Sequence, residues 1–304
     1  MNRIKLVISI VTIILVLLVL PLIFNKKISL RPFDAPDLSE LEYSEVSFEN
    51  TYEGFQLAGM LFLPEGDGPF PTAIFIHGSG PSKRNSAWYL ATAQYLRANG
   101  IAVLLPDKRG CEQSEGDWIG ASIEDLATDT LSAVEFVKTQ QMFEYSTIGL
   151  VGFSQGGWIA PVAAAASDDV SFVVSMSGNA VTTDEQIVHE EFSKIAPYTY
   201  SFIAKLVAPI TANNLKQKEH LSALYPFDPI PYLKDVHIPV FFAFGENDPF
   251  TAVDDSINRL HENKMDQFQI KVYPNGQHAI LDAQKDEMSE EFLKDLLQFI
   301  DEAT

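Results

Sequence analysis

GLVGFSQGGWIAPVAAAA, residues 149–166, sets Ser154 among glycines and runs on into an alanine-rich stretch. Glycine inside a strand or a helix costs roughly 0.5–1 kcal/mol relative to alanine, so Gly152, Gly156 and Gly157 together need a reason. The apolar run before Ser154 reads as a strand and the run after it as a helix. The glycines then mark a turn between the two that is too tight for side chains. G-x-S-x-G at such a turn holds the serine on a strained backbone, with its oxygen projecting above a sheet. The helix N-terminus that follows favours negative charge developing beside it.

Outward from this point the chain alternates. TAIFIH (72–77) and IAVLLP (101–106) are continuous apolar runs, too uniform for a sheet with one wet face. EVSFENTYEGFQLAGMLFLP (45–64) alternates and is split by Glu53-Gly54, which predicts a hairpin. TIGLVGF, SFVVSMSG, PVFFAFG (239–245) and QFQIKVYP (267–274) supply further strands. AWYLATAQYLRANG predicts a helix stopped by Gly100. Ser122 with Asp125 opens a helix over about 122–141, and another covers about 285–302. The class is α/β: a mostly parallel sheet with helices on both faces. Between Gly178 and Asp235 helical patterns run without a strand, which predicts an inserted helical lid at about 179–234. Its Phe192, Tyr198, Tyr200, Phe202, Tyr225 and Phe227 are expected to form the lid's own core.

A serine is inert without a base and a group that orients the base. Of six histidines, His278 in YPNGQHAI sits in a turn just after the last strand and is the expected base. His77 and His237 flank strands, and His189, His220 and His261 fall on predicted helices. His77 is expected to brace its loop by a hydrogen bond. The orienting carboxylate should leave a strand end between serine and histidine. FAFGENDPF offers Asp248, with Glu246 as competitor; Pro249 turns the chain away after Asp248, which suits a fixed loop carboxylate. Two backbone donors are needed for an oxyanion. The expected pair is the N–H of Gln155, next after the nucleophile, and the N–H of Ser79 in the glycine-rich run 77–80.

The chain has 304 residues, and 46% hydrophobic content suffices for a large core. Its net charge is -20; Arg3 and Lys5 are the only charges before Lys26, so the remainder stands at -22. Such a body repels nucleic acid, and no basic patch interrupts it. Cys111 is the sole cysteine, which leaves no internal disulfide and no cysteine-based metal site. No metal and no organic cofactor is expected.

Leu6 to Phe24 is nineteen residues without a charge, roughly 28 Å if helical. Residues 1–25 therefore predict an uncleaved transmembrane anchor rather than a cleaved signal peptide, since Lys26, Lys27 and Arg31 follow in place of a small-x-small site. Residues 26–41 predict a linker, and 42–304 the catalytic body. Basic residues ahead of the apolar run favour an N-terminus inside, with the body outside the cytoplasm on a single-pass protein.

With FIHGSGPSKR, LPDKRGCEQS, VGFSQGG, FGENDPF and NGQHAI in this order, the chain resembles the α/β-hydrolase superfamily over roughly residues 45–303. Within that superfamily it is most similar to serine esterases and peptidase-like hydrolases with an HGxG oxyanion loop. The family often shows D-x-R-G-x-G-x-S, whereas Cys111 is followed here by Glu112, which puts the path of that loop in question. The resemblance implies a serine hydrolase of small-molecule carboxylic esters acting through Ser154, Asp248 and His278. A serine peptidase or thioesterase on the same fold, or a non-catalytic membrane-tethered binding protein, are the alternatives.

Overall fold

The computed structural model describes residues 2–25, 33, 36–282 and 284–304. One eight-stranded sheet runs through the molecule in the order β1-β2-β4-β3-β5-β6-β7-β8. β1 (Ser44–Asn50) and β2 (Phe55–Phe62) form the hairpin that turns at Glu53-Gly54, pairing Ser44 with Leu61 through Asn50 with Phe55. β2 is antiparallel to β4 (Ala102–Pro106). The remaining pairs are parallel: β3 (Phe70–Ile76), β5 (Tyr145–Phe153), β6 (Phe172–Met176), β7 (Val240–Gly245) and β8 (Gln269–Tyr273).

The uniform apolarity of the central strands follows from burial on both faces. Ile74, Ile76, Val240 and Phe242 face one core, against α3 (Ile123–Thr139) and α4 (Gly156–Ala165). Ala73, Phe75, Phe241 and Ala243 face the other, against α2 (Ala87–Ala98) and the last helix, Glu290–Ala303. That helix begins later than the sequence predicts, at Ser289, whose hydroxyl accepts the Phe292 N–H. α3 starts on a reciprocal capping box between Ser122 and Asp125. Arg109, nearly fully buried, ties the β1–β2 turn to α3 by pairing with Asp129 at 2.7 Å and Glu53 at 2.8 Å.

Between β6 and β7 lies the predicted insert: α5 (Thr183–Ile195), α6 (Ser201–Lys216), α7 (Glu219–Ser222) and α8 (Ile230–Asp235). Its aromatics do not form a core of their own. Tyr198 and Phe202 are 56% and 64% exposed, and Leu206 and Ile210 continue their row at four-residue spacing. α6 turns Ala204, Ala208 and Ala212 inward instead, a small-residue seam on the side where α5 packs. Phe227 is buried, but against Trp158 of α4 and Tyr232 of α8 rather than inside a separate lid.

The N-terminal expectation is also corrected. A helix, α1, covers Asn2–Phe24, yet among the described residues no helix is long and apolar enough to cross a membrane, so the transmembrane assignment lacks structural support. Most of the apolar side chains described on α1 are exposed, with Leu20 half-buried and Pro21 buried, and its end meets the insert, where the Asn25 amide donates to the Ala196 and Thr199 carbonyls. Most of the linker expected at 26–41 (residues 26–32, 34 and 35) lies outside the described residues.

Candidate active site

Ser154 sits at the C-terminal end of β5, where φ is +53°. A non-glycine residue in the left-handed region is uncommon and is held there only by its surroundings. Two glycines make the turn possible. A Cβ on Gly152 would lie 2.1 Å from the Gly156 carbonyl oxygen, and one on Gly156 would lie 2.3 Å from the Ile76 oxygen. The Ser154 N–H donates to the Met176 carbonyl, which fixes the turn to β6.

Asp248 and His278 meet at this end of the sheet. His278 Nδ1 lies 2.8 Å from Asp248 Oδ2, and the Asp248 side chain is fully buried. The second oxygen, Oδ1, accepts the Phe250 and Thr251 N–H groups at 2.8 and 3.1 Å. Burial pushes the Asp248 carboxyl up. His278 and these donors outweigh it, so the group sits below the usual carboxylate value and is ionised at neutral pH. Glu246, the competitor, is exposed and braces the next turn by accepting the Asn275 N–H.

The His278 ring stands between Trp88 and Phe250, with centroids at 5.1 and 5.2 Å. Trp88 also contacts Phe153, the residue before Ser154. The Ser177 hydroxyl, one residue beyond β6, donates to the His278 carbonyl at 2.7 Å. Ser154 and His278 thus share one neighbourhood, although no hydrogen bond joins them among the described residues.

Ser79 is exposed and Gln155 buried, and both line one cavity of about 230 Å³ with Gly80, Lys108, Trp118, Leu126, Leu221 and Leu224. Two of those walls, Leu221 and Leu224, come from the insert. His77 is buried with Nε2 2.6 Å from the Pro106 carbonyl, as expected of a loop-bracing group; burial pushes its pKa down to about 4, so it is neutral at pH 7. Glu112 takes φ +50°, a left-handed backbone that glycine adopts without a Cβ penalty and a glutamate holds only under strain. Lys108, buried in the cavity wall, was not assigned a role from sequence. Its neighbours lie far from it in the chain, and no local pattern announces them.

Among the described residues no cluster of His, Cys, Asp or Glu is arranged to hold a metal ion. An alpha/beta hydrolase family model matches residues 73–292. The esterase EstD of Thermotoga maritima is 28% identical over 147 residues, 46% of this chain and 34% of EstD. The human acylamino-acid-releasing enzyme is 24% identical over 266 residues, covering 81% of this chain but 32% of that enzyme. The chain thus spans well under half the length of these curated relatives. An esterase of Pyrococcus furiosus superposes with a TM-score of 0.67 at 18% identity, covering 91% of this chain and 99% of that one. The strained serine at the turn from β5 to α4, the acid–histidine pair and the family match over most of the chain converge: this chain belongs to the alpha/beta hydrolase family.

Proposed function

We propose that the chain is a serine hydrolase of small-molecule carboxylic esters. The observation that carries the reading is the buried Asp248 hydrogen-bonded to His278 beside a serine at φ +53°. In the proposed cycle Ser154 Oγ attacks the ester carbonyl carbon and His278 Nε2 takes the hydroxyl proton. The carbonyl oxygen, now an oxyanion, is held by the Ser79 and Gln155 N–H groups. The tetrahedral intermediate collapses, the C–O bond to the alcohol breaks, and His278 returns the proton to the leaving alkoxide. Water then attacks the acyl-enzyme by the same route and releases the acid. Asp248 holds Nδ1–H and stabilises the imidazolium at each transfer. All the groups needed are side chains and backbone amides of this chain.

Peptidase action on blocked termini is the second reading, favoured by the acylamino-acid-releasing relatives that match over 81–86% of this chain. Turnover of p-nitrophenyl esters of increasing acyl length, set beside N-acetyl-amino-acid p-nitroanilides, separates the two. Ester hydrolysis is expected to dominate; anilide cleavage with negligible ester turnover would replace esterase by peptidase. Failure of a fluorophosphonate to label Ser154 would instead indicate a non-catalytic binding protein.

Location is a separate proposal. Among the described residues the exposed large apolar side chains concentrate on α1, from Val7 to Phe24, and on the row Tyr198, Phe202, Leu206 and Ile210; Tyr52, Ile119 and Met142 are the exceptions. Water does not favour so large an apolar surface. We propose that it rests against lipid, with the acidic body outside the cytoplasm. Protease added to spheroplasts should remove the body; survival until the membrane is broken would reverse the orientation. Recovery of the intact chain wholly in the soluble fraction would reject a lipid contact.

A further inference from the structure

The Lys108 ammonium lies inside the protein and has three acceptors: the Gly78 carbonyl at 2.9 Å, the Gly80 carbonyl at 3.0 Å and Gln155 Oε1 at 3.2 Å. An ammonium has three hydrogens, so none is left for a substrate carboxylate. A substrate-binding role is therefore disfavoured, even though the side chain lines the cavity. Its bonds go instead to both sides of Ser79 and to the side chain of Gln155, the two residues assigned above to the oxyanion.

We infer that Lys108 is the positioning residue of the oxyanion hole, orienting the Ser79 N–H through the Gly78 carbonyl. The inference rests on the serine-hydrolase reading. The reason is the planarity of the peptide unit. The Gly78–Ser79 bond is trans, so the Gly78 C=O and the Ser79 N–H point in opposite directions. Holding the carbonyl toward Lys108 turns the N–H away from it and prevents the plane from rotating. Glycine-rich backbone would otherwise rotate freely. The loop is fixed from the other side as well, since the Gly78 N–H donates to the Tyr89 hydroxyl at 3.0 Å. The Gly80 carbonyl anchors the far end, and Pro81 follows it. The Trp118 ring lies 5.5 Å from the ammonium and covers it.

The charged and titratable groups around the ammonium are few. Asp129 on α3 and Cys111 on the same loop favour its proton, and His77 at the end of β3 faces it uncharged at neutral pH. Asp107 is paired with Arg84, and Arg109 with Asp129 and Glu53. Burial outweighs the favourable groups and pushes Lys108 down to about 8. Above that pH the amine keeps two hydrogens for three acceptors, and one anchor of the loop is lost. The stability sign is opposite. With the folded pKa of about 8 below the ordinary 10.5, the unfolded chain binds more protons between them, and this residue adds stability as pH rises through that window. Turnover lost there is not unfolding caused by Lys108.

The test compares the wild-type chain with Lys108→Met and Lys108→Arg on a short p-nitrophenyl ester, with fluorophosphonate labelling of Ser154 followed in parallel. Lys108→Met should lower kcat by about 10²-fold with KM changed by less than about threefold, as loss of an oriented oxyanion donor does. Wild-type kcat should fall as pH rises through about 8, and that limb should be absent from the Met variant. Lys108→Arg, whose guanidinium does not titrate in this range, should recover much of kcat and lack the limb. Should the Met variant not fold, the wild-type and Arg profiles decide alone. A Met variant within about threefold of wild-type kcat, or an alkaline limb that Lys108→Arg retains, overturns the inference. Wild-type protein that labels at Ser154 and turns over ester normally in that case shows that the serine-hydrolase reading survives. Wild-type protein that does neither overturns both.

Discussion

The end of the sheet around Ser154 and the insert between β6 and β7 are built on opposite terms. At the sheet, backbone meets backbone: Gly156 approaches the Ile76 carbonyl so closely that a methyl group could not be placed there. Position is dictated by hydrogen bonds, glycines and a serine in the left-handed region. In the insert, α6 offers a row of alanines to α5 and its larger side chains to the outside. One region is specified by what must be absent, the other by which of two apolar rows faces inward. Under the proposed function, bond-breaking belongs to the sheet and selectivity to the insert, and experiments can separate the two roles.

The largest expected effect is at the sheet. Ser154→Ala should lower kcat by about 10⁶-fold, as loss of the nucleophile does in such triads, with the fold intact by circular dichroism. A variant keeping more than about a hundredth of wild-type turnover would show that another serine carries the attack. Next, Asp248→Asn should cost about 10⁴-fold through the wrong imidazole tautomer. Glu246→Gln should cost little, because its carboxylate caps the exposed Asn275 turn. The reverse ranking would transfer the orienting role.

Within the insert, two phenylalanines sharpen the comparison through stability rather than turnover. Phe227→Ala removes a buried ring from between Trp158 and Tyr232 and should cost about 3–5 kcal/mol in urea denaturation. Phe202→Ala, on the exposed row, should stay within about 0.5 kcal/mol. Equal costs would mean that the insert has a core of its own after all.

His77 provides a pH probe of the sheet end. Its folded pKa of about 4 lies below the ordinary 6.5, so the fold favours the neutral ring. The associated stability is fully present above pH 6.5, is lost as pH falls toward 4, and amounts to roughly 3 kcal/mol. Urea midpoints measured between pH 7 and 4 should fall less steeply in a His77→Gln variant; identical slopes would remove His77 as a cause of acid sensitivity. The smallest effect is on selectivity. Leu221→Ala and Leu224→Ala enlarge the 230 Å³ cavity and should shift preference toward longer acyl chains by about tenfold in kcat/KM. A uniform change on every ester would show that the insert helps build the site instead of selecting for it.

Ser154, its flanking glycines and the order serine–aspartate–histidine were legible in the chain because the constraint there is local. A tight strand-to-helix turn admits few residues, and the partners leave neighbouring strand ends of a parallel sheet. The β1–β2 hairpin and the doubly buried strands were equally readable, since side-chain period and turn chemistry act over a few residues. What α6 buries was not readable. Tyr198, Phe202, Leu206 and Ile210 repeat with the same four-residue period as Ala204, Ala208 and Ala212. Both rows are apolar, so periodicity alone cannot choose between them. Close approach of α5 chooses the smaller one, and that requires the neighbour to be in place. Glu112 likewise reads as a departure from the family pattern until the loop's hydrogen bonds hold it at positive φ. Lys108 is decided by tertiary structure alone: its acceptors come from residues 78, 80 and 155, and only folding brings three such distant oxygens around one ammonium.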